Sequence, residues 1–135
     1  MTLIAPTAFF GKTFDEAMAL LVEARDYIAA GAGEKPGDRP VGDHLRMARE
    51  TMRITARLTQ IMAWLLAQKA VHAGELTPHQ AASEAHRLAG QAICFDDDEA
   101  HYAGLPEGLQ ALLKRSYALY VRVARLDELV RRAAE

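Results

Sequence analysis

The sequence has a single cysteine, Cys94, which rules out any intrachain disulfide framework and makes a reducing cytosol the natural setting. Positive charge is also in short supply: the formal net charge is -2 and the pI about 6.2. A general nucleic-acid binder needs a broad basic surplus to hold phosphate backbones, so direct nucleic-acid binding is not expected. Long apolar runs are missing. The opening stretch MTLIAPTAFF has no basic segment before its apolar part and is interrupted by Pro6, so neither a signal peptide nor a membrane span is expected. Alternating β-branched runs bounded by hairpin turns are absent, which removes β-sheet architectures. There is no phosphate-cradling glycine loop, zincin helix, paired-cysteine site or serine elbow, so local motifs point to no catalytic chemistry.

What is present is a chain of 135 residues, half of them hydrophobic, suited to one domain that buries about two-thirds of its surface. The fold expected is all-α: an antiparallel helical bundle of three long helices plus one shorter helix. Residues 1–12 read as an apolar N-terminal arm whose Leu3, Ile4, Phe9 and Phe10 pack on the bundle or on a second subunit. Thr13 and Glu16 form a capping box for helix one, with Phe14, Met18, Leu21, Arg25 and Ile28 as its inward stripe as far as Gly31. GAGEKPGDRPVG, residues 31–42, is a flexible loop, and Asp43 can cap helix two. Helix two runs from about His44 to Ala73, stops at Gly74 and is roughly 45 Å long. In LTPHQ, Thr77 caps a shorter helix, Pro78 opens it and Gln80 completes a capping box, with the helix reaching about Gly90. An acidic loop over residues 94–105 precedes Pro106, which starts the last helix. Leu109, Leu112, Ser116, Leu119, Val123, Leu126 and Val130 recur there in steps of three and four, a seam expected to lie antiparallel to helix two.

The most unusual feature is RMARETMRITARLTQIMAWLLAQKA, residues 46–70. At about 100° per residue, Arg46, Arg49, Arg53, Arg57 and Gln60 share one arc, with Glu50 at its edge. Met47, Met52, Ile54, Leu58, Ile61, Met62, Leu65 and Leu66 spread over roughly 200° opposite. The arginines therefore read as an outward face. Such a face is a solvated one with local ion pairs, a docking site for an acidic protein, or, if turned inward, a pocket for an anionic substrate of a helical-bundle enzyme. Twelve of the sixteen basic residues are arginine, which favours bidentate pairing with carboxylates. Beyond Gln60 the arginine line turns apolar through Trp64, Ala67 and Val71, and that half of the helix is expected to be buried all round. Met62, Trp64, Leu65, Leu66 and Val71 are expected to form core and part of a dimer contact.

Other chemistry-bearing residues have plain structural readings. Cys94, Asp96, Asp97, Asp98, Glu99 and His101 lack the spacing of a calcium or zinc loop and read as a solvated acidic segment. His72, His79 and His86 repeat every seven residues, but Gly74 and Pro78 break the helix between the first two, so no metal and no cofactor is expected. Ser116 reads as a small seam residue whose hydroxyl bonds the preceding turn.

Taken together, FDEAMALLVEARDYI, MRITARLTQIMAWLLAQKAVHAGELT and LPEGLQALLKRSYALYVRVARLDELV resemble the RcdA family, alphaproteobacterial regulators of CtrA degradation. The resemblance covers most of the chain, in the family's order. It implies a small helical bundle that forms a homodimer in the cytoplasm and is not an enzyme. It also implies a proteolytic adaptor that helps the ClpX–ClpP protease receive cell-cycle regulators. A CpdR-like response regulator primes the protease, and the cargo includes the CtrA transcription factor, delivered directly or through a PopA-like partner that binds cyclic di-GMP. Family members can carry a flexible carboxyl extension, whereas the helical pattern here runs almost to Glu135.

Overall fold

The computed structural model describes residues 7–31, 40–83 and 102–134, and all its regular structure is helical. The elements are α1 (Thr7–Ala29), α2 (Val41–His72), α3 (Pro78–Ala81) and α4 (Glu107–Ala134). Three long helices and one short one pack into an all-α bundle around a single core, in which Leu20, Ile54, Leu58, Ile61, Leu65 and Leu113 are almost fully buried. The α4 seam is as its spacing predicts: Leu109, Leu112, Ser116, Leu119 and Val123 are buried, and Leu126 and Val130 pack against the same core.

The direction of one helix pair departs from expectation. α1 is antiparallel to α4, since Arg115 meets Glu23 and Arg122 meets Glu16. It is antiparallel to α2 as well, because Phe10 near its start contacts Trp64 and His72 near the end of α2. α2 and α4, however, run parallel: Arg46 reaches Ala103, Arg57 reaches Leu113 and Ser116, and Trp64 reaches Asp127. Residues 73–106 are long enough to return the chain to the level where α2 begins, and a parallel neighbour requires such a crossover.

Two helices start earlier than their local caps predict. α1 begins two turns before Thr13, which is interior and only 4 % exposed. Phe10 anchors that extra length through an edge-on contact with Trp64, centroids 5.8 Å apart, and tertiary packing outweighs a local capping box. Residues 7–12 are thus helix rather than an arm, while Leu3, Ile4 and the Phe9 side chain lie outside the described residues. α2 starts at Val41 with Pro40 in the cap position and no side-chain cap. Asp43 sits in its first turn, donating its backbone N–H to Pro40 O at 3.0 Å, where a carboxylate favours the helix dipole. Gly74, at φ +78°, ends α2 as expected. The Thr77 and Gln80 capping box forms in full, but α3 is described only to Ala81. His86, Cys94, the Asp96–Glu99 run and His101 lie outside the described residues.

Candidate functional site

The arginine line divides into an exposed half and a buried half. Arg49 is 60 % exposed at its side chain, with Nε 3.4 Å from Glu50 Oε2. Arg46 is one-third exposed, pairs loosely with Asp43 at 3.7 Å and donates from Nη2 to the Ala103 carbonyl at 2.6 Å. One turn on, Arg53 Nε stands 3.1 Å from Glu50 Oε1, and both side chains are buried. Arg57 has no exposed surface at all. Its Nη1 donates to Leu113 O at 2.9 Å and to Ser116 Oγ at 3.1 Å, and the guanidinium lies 5.2 Å from the centre of the Tyr117 ring. Ser116 in turn donates to Leu113 O at 3.1 Å, the backward bond its position in the seam predicts.

The expectation of one outward face of four arginines is therefore corrected. The physical reason lies in the same line of residues, which continues through Trp64 to Gln68. Trp64 is buried and donates from Nε1 to Asp127 Oδ1 at 2.9 Å. A line that ends under α4 at Trp64 must already be turning under it at Arg53 and Arg57. A buried guanidinium is tolerable there because its planar fork can bond a carbonyl and a hydroxyl while its face stacks on an aromatic ring. Glu50, Gln68 and Asp127 are the other buried polar residues of this seam. Their signal in the sequence was faint: an acid one turn before a buried arginine, and an acid at the level of a buried tryptophan.

The expected core and dimer residues also divide. Trp64 and Leu65 are internal and cannot touch a second subunit directly, whereas Leu66 is 52 % exposed. Met62 and Val71 are partly buried. The second half of α2 is thus covered on two sides rather than all round.

Across the bundle from this seam, α1 and α4 are joined by two-toothed ion pairs on the surface. Arg115 clasps both oxygens of Glu23, and Arg122 clasps both oxygens of Glu16 at 2.9 and 3.0 Å. The Arg115 hydrogen bond holds the Glu23 carboxyl below its ordinary range, and Glu23 holds the guanidinium above its own. A cleft of about 220 Å³ opens between the end of α1 and the start of α2, lined by Tyr27, Ile28, His44, Met47, Thr51 and Leu109 among others. It is smaller than typical ligand pockets, and no arginine lines it. The arginine-lined enzyme pocket is thus unsupported. No group of metal-ligating side chains occurs among the described residues, and no described helix is long and apolar enough to cross a membrane.

Residues 3–135 match the family described as "Protein of unknown function (DUF1465)". The fold is similar to the crystal structure of RcdA from Caulobacter crescentus CB15, with 36 % sequence identity over 93 % of this chain and 93 % of that one, and a TM-score of 0.72. No curated protein matches the sequence. With a family match over nearly its whole length and that identity across a shared fold, the chain belongs to the DUF1465 family and is an RcdA-like protein.

Proposed function

We propose that this protein is a non-enzymatic adaptor that promotes delivery of cell-cycle regulators such as CtrA to the ClpX–ClpP protease through protein contacts. It acts in the cytoplasm as a homodimer, with a CpdR-like response regulator, a CtrA-like transcription factor or other cargo, and in some cases a PopA-like protein as partners. The observation that carries this reading is the likeness to RcdA along the full bundle, at an identity high enough to share family and not only fold. The disposition of polar groups supports it. The best-placed arginines for an anionic substrate, Arg53 and Arg57, are engaged with Glu50 and with α4, while α2 leaves large apolar side chains facing outward.

Of the four arginines, Arg46 and Arg49 are the ones that keep exposed surface, and in this reading they meet an acidic surface on cargo or on the primed protease. Arg57 holds α2 against α4, and Arg53 is buried against Glu50 of its own helix. Capture from an extract of the source bacterium tests this division. Immobilised wild-type protein should retain ClpX, its primer or transcription regulators, and an Arg46→Glu/Arg49→Glu variant of equal helicity should retain less. Equal retention by both would move the docking site away from the arginines, and no retention of protease or regulators by either would remove the adaptor reading.

A further inference from the structure

The outward face of α2 carries a pattern that the bundle itself does not use. Val41, Leu45, Met52 and Leu66 are 74, 67, 71 and 52 % exposed, and they share one stripe with Ala48, Thr55, Thr59, Ala63 and Ala70. The steps between these nine positions are three or four residues, so they lie within a narrow arc of the helix. No charged residue falls inside the stripe, and Arg49 stands only at its edge. The Thr55 hydroxyl donates to the Thr51 carbonyl at 3.0 Å, so burying Thr55 would leave no donor in need of a partner. Exposed apolar rows of this length mark interfaces.

The sizes along the stripe are self-complementary under a two-fold axis. If a second α2 lies antiparallel, centred between Arg57 and Leu58, then Met52 falls level with the small Ala63 and Leu45 with Ala70, while Leu66 falls within one residue, about 1.5 Å, of Ala48, and Thr55 within one residue of Thr59. Each large side chain faces a small one, the arrangement that interdigitating helices need. A parallel pairing would instead stack Met52 on Met52 and Leu45 on Leu45, and would bring the two Arg49 side chains together. In the antiparallel register those arginines are about 26 Å apart along the axis at 1.5 Å per residue, well beyond the ~8 Å screening length of physiological salt. A stripe about 45 Å long and 10–12 Å across covers roughly 500 Å² on each subunit, or about 1,000 Å² in total, the size at which specific interfaces begin.

We propose that the α2 stripe is the homodimer contact, pairing antiparallel with the α2 of a second copy so that Met52 seats on Ala63 and Leu66 on Ala48. This rests on the homodimer reading above and assigns it a surface and a register.

The test uses the full chain with Cys94→Ser, and one copy each of Met52→Cys and Ala63→Cys carrying tags of different mass. Light scattering at micromolar concentration first gives the oligomeric state. A dimeric mass with fast disulfide formation between residue 52 of one chain and residue 63 of the other, and none between two copies of Met52→Cys, is the expected result. A dimeric mass with 52-to-52 linkage, or with no linkage through α2, overturns the register and surface but leaves the homodimer standing. A monomeric mass overturns both. In an otherwise unaltered chain, Met52→Glu/Leu66→Glu should weaken dimerisation at least ~100-fold with helical content unchanged, because both side chains are exposed in the single subunit. A dimer of undiminished affinity in that variant overturns the proposal independently of any cross-link.

Discussion

Changing Arg57 to alanine should destabilise the fold rather than weaken docking. The side chain is fully buried, and its Nη1 makes two hydrogen bonds across to α4, at 2.9 Å to Leu113 O and 3.1 Å to Ser116 Oγ. Hydrogen bonds to a charged group contribute about 1.5–3 kcal/mol each. Removing the alkyl stem also leaves a cavity facing Ser116 and Tyr117 of α4, and comparable truncations of large buried side chains cost about 2–5 kcal/mol. Relief of the buried charge offsets part of this, so the net loss should be about 3 kcal/mol. For a chain of this size that corresponds to a fall in Tm of roughly 10 °C, read by circular dichroism at one fixed protein concentration, since association contributes to apparent stability. Arg57→Met keeps the volume and removes the charge together with both bonds, so it should cost less than Arg57→Ala, about 1–2 kcal/mol. A loss of under 0.5 kcal/mol for Arg57→Ala, with partner capture abolished, would return Arg57 to a docking face.

Trp64→Phe removes the donor to Asp127 Oδ1 and leaves a buried carboxylate short of one bond, so it should cost about 1–3 kcal/mol in urea unfolding; an unchanged midpoint would contradict that role. Arg49→Glu, on an exposed side chain, should leave the unfolding free energy within about 0.5 kcal/mol of wild type while reducing salt-sensitive capture of protease or cargo. Glu23, whose carboxyl is held below its ordinary range by the Arg115 hydrogen bond, contributes stability above its unfolded pKa that is lost as pH falls through its folded one. Wild type should therefore lose more stability between about pH 6 and pH 3 than Glu23→Gln does, a comparison made by thermal melts across that range. Equal slopes would mean that the Arg115–Glu23 pair contributes nothing measurable.

Much of the architecture is legible in residue spacing. The seam of α4 from Leu109 to Val130, the stop of α2 at Gly74 and the Thr77 capping box are where the pattern places them. Local signals failed where packing decides. Thr13 looks like a cap, but Phe10 on Trp64 pulls the helix start back two turns. Periodicity also says nothing about which way a neighbouring helix runs, and the α2–α4 pair proved parallel. The arginine line shows the sharper difficulty. Averaging over a whole helix placed Arg53 and Arg57 opposite the apolar arc, although the same line ends at Trp64 and Gln68, both buried. Met52 and Leu66, counted in that apolar arc, are instead its outward members. An arc of roughly 200° is wide enough for a core face and a free face together, and composition alone does not separate them.

The proposed delivery of regulators to ClpX–ClpP can be read in reconstituted proteolysis. Purified ClpX, ClpP and a CpdR-like primer from the source bacterium would be incubated with a CtrA-like substrate and ATP, with and without this protein, and substrate decay followed over time. An adaptor should give faster decay that saturates as the protein is added and that depends on ATP. Decay at the same rate with and without it, for every regulator offered, would mean that this protein is not an adaptor for ClpX–ClpP.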